Sequence, residues 1–177
     1  MEYYDSIAQG YDELHSEEQL KKLNIIKQEV IKLIINQKIN AADNSNFLDV
    51  GCGSGISTEF FSCFDWIKNK TGIDPSEELI KIAKAKNQKT KYFVGRAESL
   101  PFKNEEFDFI VSLTAIQNFD DAEKGLKEIK RVGKNSTVFA LSFLKRSPKK
   151  EVILQSIKQI FKIKEIIEED KDIIVIC

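Results

Sequence analysis

Leu48-Asp49-Val50-Gly51-Cys52-Gly53-Ser54-Gly55 is the stretch on which the reading of this chain turns. Its start, with Phe47, reads as a short buried strand over Phe47–Val50 that runs directly into a glycine-rich turn. Glycines at that place let the backbone turn tightly and let a ligand approach with no Cβ in the way. The spacing is G-x-G-x-G, not the G-x-G-x-x-G that sets a pyrophosphate on a helix N-terminus. Such a turn on its own suits many α/β proteins, so the flanking chain has to decide.

Downstream the pattern alternates. Ile56–Phe64 reads as helix and Lys70–Asp74 as a second strand, after which Pro75-Ser76 opens a helix with Leu79, Ile82 and Ala83 on one face. Tyr92–Val94 is a third strand and Phe107–Leu113 a fourth, the latter nearly all apolar as a doubly covered strand should be. Asp120 and Asp121 can cap the next helix, which buries Ala122, Leu126 and Ile129. Thr137–Leu144 is a fifth strand and Lys149–Phe161 a further helix. Ile163–Ile167 and Ile173–Cys177, joined by the charged turn 168–171, read as an antiparallel hairpin. Upstream, Ser16-Glu17-Glu18-Gln19 has the form of a capping box, followed by a helix with Leu23, Ile26, Val30, Leu33 and Ile34 on one stripe.

These elements predict an α/β fold: a doubly wound, mostly parallel, seven-stranded sheet with helices on both faces and a C-terminal antiparallel hairpin that supplies a reversed edge strand. One domain over 1–177 is expected, with a helical lid over 1–38 and the sheet core over 46–177. Asp74 closes the second strand about 20 residues after the turn, where a carboxylate accepts both hydroxyls of a ribose. Gly95-Arg96-Ala97-Glu98 follows the third strand, so the polar positions collect at the carboxyl ends of successive strands, the ligand edge of an open α/β sheet.

Composition fits this plan. Apolar residues at 42% and charged residues at 31% belong to a globular chain rather than a disordered one. Lys plus Arg is 27 against 28 Asp plus Glu, so no broad positive field is present to hold a polyanion. Cys52, Cys63 and Cys177 have no CxxC spacing and read as free thiols, and with a single histidine no metal site is expected. The polar, acidic start and the lack of a long apolar run imply a cytoplasmic protein that does not enter a membrane.

Taken in order, LDVGCGSG (48–55), GIDPS (72–76), GRAESLPF (95–102) and FDFIVSLTAIQNF (107–119) resemble the class I, Rossmann-like S-adenosylmethionine-dependent methyltransferases. The chain is most similar to the broad group that includes quinone-biosynthesis and tRNA wobble-uridine methyltransferases. The opening YYDSIAQGYDELH (3–15) is similar to the start of that group, and the resemblance covers essentially the whole chain. It implies S-adenosylmethionine as cofactor and S-adenosylhomocysteine as product. Gly51, Gly53 and Asp49 would border the methionine end, and Asp74 would hold the ribose. Ala97 would offer its N–H to adenine, walled by Ile73 and by Leu113 or Thr114. Tyr11, or Tyr3 or Tyr4, would fold over the methionine moiety. One departure stands out: the residue before Ala97 is commonly an acceptor for the adenine amino group, and Arg96 can only donate. Either Glu98 or a backbone carbonyl takes that role, or Arg96 faces away.

Residues just after the fourth strand should lie near the transferred methyl group. The N-P-P-Y motif of adenine-N6 and glutamine methyltransferases is missing there. Gln117 and Asn118 are the candidates for positioning the acceptor, because their amides both donate and accept; the alternative is that they only cap the helix that follows. His15 is either a base brought in by the lid or a surface residue. The run Lys145-Arg146-Ser147-Pro148-Lys149-Lys150 follows the fifth strand, and is either a solvated loop or a site for an anionic acceptor such as RNA. Three functions follow. The first is methylation of a macromolecule, tRNA or a translation protein, with help from a small activator protein of the zinc-binding kind used in the resembled tRNA group. The second is a small-molecule methyltransferase, and the third a cofactor-binding regulator without catalysis. The missing insertion between the fifth and sixth strands, where many small-molecule enzymes build a substrate cover, leans towards the first.

Overall fold

The computed structural model describes residues 11–35 and 45–177. Strand β1 (Ser45–Val50) lies between β2 (Ile67–Asp74) and β4 (Phe107–Ser112), both parallel to it. Strand β3 (Lys91–Val94) lies outside β2, and β5 (Gly133–Leu144) pairs parallel with β4. Strands β6 (Glu165–Glu168) and β7 (Asp172–Ile176) complete the sheet in the order β3-β2-β1-β4-β5-β7-β6. The winding direction reverses between β1 and β4, and there the carboxyl ends of the strands open a crevice.

The hairpin forms as expected, but the reversed strand is not at the edge. β7 runs antiparallel to both β5 and β6 and is inserted between them, leaving β6 outermost. The side chains explain the choice. All five residues of β7, Asp-Ile-Ile-Val-Ile, are buried, whereas Glu-Ile-Ile-Glu of β6 is mostly exposed. An interior strand has to be apolar on both faces, and charged ends suit an edge.

Alternation along the strands sorts the core into two layers. On one face Leu48, Ile110 and Val175 pack with Leu126, Ile129, Ile153 and Ile157 of helices α4 (Ala122–Val132) and α5 (Lys150–Ile160). On the other, Phe47, Phe109 and Ile174 pack with Leu23, Ile26 and Val30 of helix α1 (Tyr11–Ile35). The rings of Phe47, Phe61 and Phe109 meet there at 5.1–5.7 Å between centroids. Helix α1 is therefore core along its middle and not only a cover. The backbone is already helical at Tyr11, so Ser16 lies inside α1 and the expected capping box is not the helix start.

Local signals hold elsewhere. Ser76 caps α3 (Glu77–Lys86) by accepting from the Leu79 N–H at 3.2 Å. Asp121, not Asp120, caps α4, accepting from the Lys124 N–H at 3.0 Å. No described helix is long and apolar enough to cross a membrane.

Candidate functional site

The glycine turn adopts left-handed backbone at Gly51 (φ 77°), Gly53 (φ 53°) and Gly55 (φ 88°). At Gly51 the requirement is double, since an added Cβ would stand 2.4 Å from the Ala115 Cβ. The turn after β1 and the loop after β4 thus touch at the reversal point. Gly55 then leads into the short helix α2 (Ile56–Phe60).

Two carboxylates flank this turn, and burial separates their roles. Asp74 ends β2 near the surface of the crevice. Its Oδ2 accepts from the Gly53 N–H and its Oδ1 from the Ser76 N–H, each at 2.9 Å, so a backbone N–H aims each oxygen. Asp49 is fully buried, and its Oδ2 accepts from the Ser57 hydroxyl at 2.5 Å and the Thr58 hydroxyl at 2.6 Å. Burial pushes its carboxyl up to about 6, against the pull of those two hydroxyls. Asp49 does not line the crevice; it sits below the glycine turn and ties it to α2.

The crevice, at the carboxyl ends of the strands, has a cavity volume of about 90 Å³. Gly51, Gly53, Ile73, Asp74, Ala97, Glu98, Leu113, Thr114 and Asn118, each named from the sequence, all line it. Ala115 and Phe119, two of the residues after the fourth strand expected near the methyl group, add apolar side chains to the wall. The side chains of Tyr11 and His15, and all of Tyr3 and Tyr4, lie outside the described residues.

Arg96 is accounted for by its partners. Its guanidinium pairs with the Asp120 carboxylate, and its Nε stands 3.9 Å from Glu98 Oε2. Glu98 Oε1 also accepts from the Asp121 N–H at 3.2 Å. These contacts brace the loop after β3 against the start of α4.

Across the crevice the loop after β4 is held by distant residues. Thr114 is in the left-handed region (φ 52°), unusual for a β-branched side chain. Its N–H donates to Ser142 Oγ at 2.8 Å, and its hydroxyl donates to Asp172 Oδ2 at 2.6 Å. Lys22 Nζ, from α1, reaches Thr114 Oγ1 and Asp172 Oδ1, both at 3.1 Å, with Lys22 and Asp172 only 1% and 0% exposed. This buried cluster was not anticipated, because its members are apart in sequence and Lys22, Ser142 and Asp172 belong to no motif.

Gln117 and Asn118 form a 3-10 turn with Ile116, and the N-cap of α4 is Asp121. Gln117 Nε2 donates to the Thr114 carbonyl at 2.5 Å, and its Oε1 is buried without a partner among the described residues. Gln117 lines a second concavity, next to the first, and Asn118 lines both. No group of three or more potential metal ligands occurs among the described residues.

Residues 48–141 match the methyltransferase-domain family, more than half of the chain, and the chain belongs to that family. The Rossmann-like, S-adenosylmethionine-dependent class I fold is the one its sheet order and glycine turn define. The chain is 34% identical over 161 residues, 91% of its length, to an uncharacterized protein of Methanocaldococcus jannaschii. It is 31% identical over 138 residues, 74% of its length, to the ubiquinone/menaquinone biosynthesis C-methyltransferase UbiE of Geotalea daltonii. It spans 58% and 57% of the lengths of those two proteins. A solved complex of the Haloferax volcanii Trm112 methyltransferase activator and a putative methyltransferase contains a similar fold. The TM-score is 0.74 at 15% identity, over 98% of this chain and 96% of the other.

The crevice suits the family cofactor. A preset carboxylate at Asp74 matches a ribose diol, and the apolar slot at Ile73, Ala97, Leu113 and Phe119 matches a purine.

Proposed function

We propose that this chain transfers the methyl group of S-adenosylmethionine to a macromolecular acceptor, tRNA or a translation protein, with a small activator protein docked on the open edge of its sheet. The carrying observation is β3, an edge strand that exposes Phe93 (39%) and Val94 (49%) beside the cofactor crevice. An apolar edge strand is a ready template for pairing with another chain. The likeness in fold to the methyltransferase of the Trm112 complex supports the same reading.

When bound, S-adenosylmethionine supplies a methyl group already activated on a sulfonium sulfur. The chain's own work is to bind and orient. Asp74 accepts the ribose hydroxyls, and the Ala97 N–H and the slot around it receive the adenine. Gly51 and Gly53 admit the methionine end. Gln117 and Asn118, at the meeting of the two concavities, hold the acceptor in line with the methyl group. Tyr11 would close over the cofactor from the N-terminal side.

A second reading, methylation of a small molecule, is favoured by the likeness to UbiE. Incubation with methyl-labelled S-adenosylmethionine and a cell extract, followed by separation of RNA, protein and small molecules, decides between the two. Label in RNA or protein is expected, and Phe93→Lys should cut it at least tenfold while S-adenosylhomocysteine binding is kept. Label only in the small-molecule fraction, or indifference to Phe93→Lys, overturns the proposal.

A further inference from the structure

The loop that joins β5 to α5, together with the first residue of α5, carries four cations in six residues, and the structure divides them into two pairs. Lys145 Nζ lies 3.5 Å from Glu168 and Lys150 Nζ lies 3.8 Å from Glu151. Arg146 and Lys149 have no carboxylate partner among the described residues, and these two line the second concavity. Arg146 and Lys149 are exposed while Lys145 and Lys150 are half-buried, so the two charges at the hollow are the ones open to a ligand.

That hollow has a cavity volume of about 320 Å³ and shares Asn118 with the lining of the cofactor crevice. Its floor is built rather than loose. The Ser147 N–H donates to the Leu144 carbonyl and the Lys150 N–H to the Ser147 carbonyl, both at 3.0 Å. Ser147 Oγ accepts from the Lys149 N–H at 3.2 Å. Lys149 Nζ donates to the Phe119 carbonyl at 2.8 Å, which fixes the ammonium on the rim shared with the cofactor side. At the inner end lies Gln117, whose buried Oε1 still lacks a donor among the described residues.

From this arrangement we infer that the second concavity is the acceptor subsite and takes a group bearing an oxyanion, phosphate or carboxylate, gripped by Arg146 and Lys149. A guanidinium fork matches the oxygens of either group, and an ammonium adds a second positive charge. Gln117 Oε1 then accepts an N–H or O–H of the same acceptor next to the atom that receives the methyl group. The inference rests on the methyltransferase reading for the words "acceptor subsite", while the anion site itself stands on the cations and the hollow.

Two measurements keep those parts distinct. Inorganic phosphate is titrated into the isotopically labelled protein loaded with S-adenosylhomocysteine, and backbone amide shifts are followed by NMR. Saturable shifts at 146–150 and at Gln117 are expected in the millimolar range. Arg146→Gln should weaken them at least fivefold and leave S-adenosylhomocysteine affinity unchanged. Shifts scattered over the surface lysines, or unaltered by Arg146→Gln, overturn the anion site. Failure to bind S-adenosylhomocysteine would instead strike the methyltransferase reading. In the second measurement the methyl-labelled product of the extract reaction is passed over an anion exchanger. Retained label that falls at least tenfold with Arg146→Gln supports the inference, and ribonuclease sensitivity then tells an RNA phosphate from a free anionic compound. Label in a neutral or cationic product overturns it.

Discussion

The two walls of the crevice are built by opposite means. The wall at β1, β2 and β3 is made by strand ends and the turns directly after them. Asp74 is aimed by the N–H groups of Gly53 and Ser76, 21 and 2 residues away. The wall after β4 depends on side chains far apart in sequence. Thr114 is held by Lys22, Ser142 and Asp172, at separations of 92, 28 and 58 residues. The first wall carries backbone geometry that any member of the fold needs in order to bind one cofactor. The second carries a buried charge pair, a costlier device that leaves the loop beside the acceptor dependent on α1 and β7 being docked.

The sharpest way to break the second wall is Lys22→Met. Asp172 would then be a buried carboxylate without its cation, and the chain should lose about 3–5 kcal/mol of stability, read from the midpoint of urea unfolding. Combining it with Asp172→Leu should regain most of that loss, since an apolar pair needs no compensation. A single variant as stable as the parent would mean the pair contributes nothing to the wall.

On the first wall Asp74→Asn replaces an anionic acceptor by a neutral one with a single carbonyl oxygen. Charge-assisted hydrogen bonds contribute roughly 1.5–3 kcal/mol each, so S-adenosylhomocysteine should bind about a hundredfold more weakly by calorimetry. Unaltered affinity would remove Asp74 from the ribose site.

The smallest effect sharpens the contrast within that wall. Asp49 has its carboxyl raised to about 6 by burial, so the native state still holds the proton after the unfolded chain has released it. Stability therefore falls as pH climbs from the unfolded value near 4 to about 6. The contribution lost between pH 5 and pH 7 is about 1 kcal/mol, and Asp49→Asn should abolish that slope in denaturation midpoints taken across the range. The slope surviving in the variant would show that Asp49 is not the group that titrates.

These contrasts also explain what could be seen in the sequence. The places of Asp74, Ala97, Gly51 and Gly53 in the crevice lining were legible because each lies close after a strand end, and strand ends show in the apolar pattern. Asp49 was legible as an acid in the motif but not as a buried one, since burial depends on how α2 folds back over the turn. The inserted position of β7 was open because a hairpin can meet β5 by either strand. The full burial of Asp-Ile-Ile-Val-Ile against the exposed glutamates of β6 accounts for the outcome.

The sequence by itself determined the alternating elements, the glycine turn, the carboxylate at the end of β2 and the methyltransferase family, because these depend on residues near one another along the chain. Only the tertiary structure decided that Lys22 would neutralise Asp172 beneath Thr114, that Arg96 would turn to Asp120, and that, of the four cations after β5, Arg146 and Lys149 would have no carboxylate among the described residues. Those outcomes depend on which charges the sheet order brings within a few ångströms of each other, and Coulomb energy reads separation in space, not in sequence.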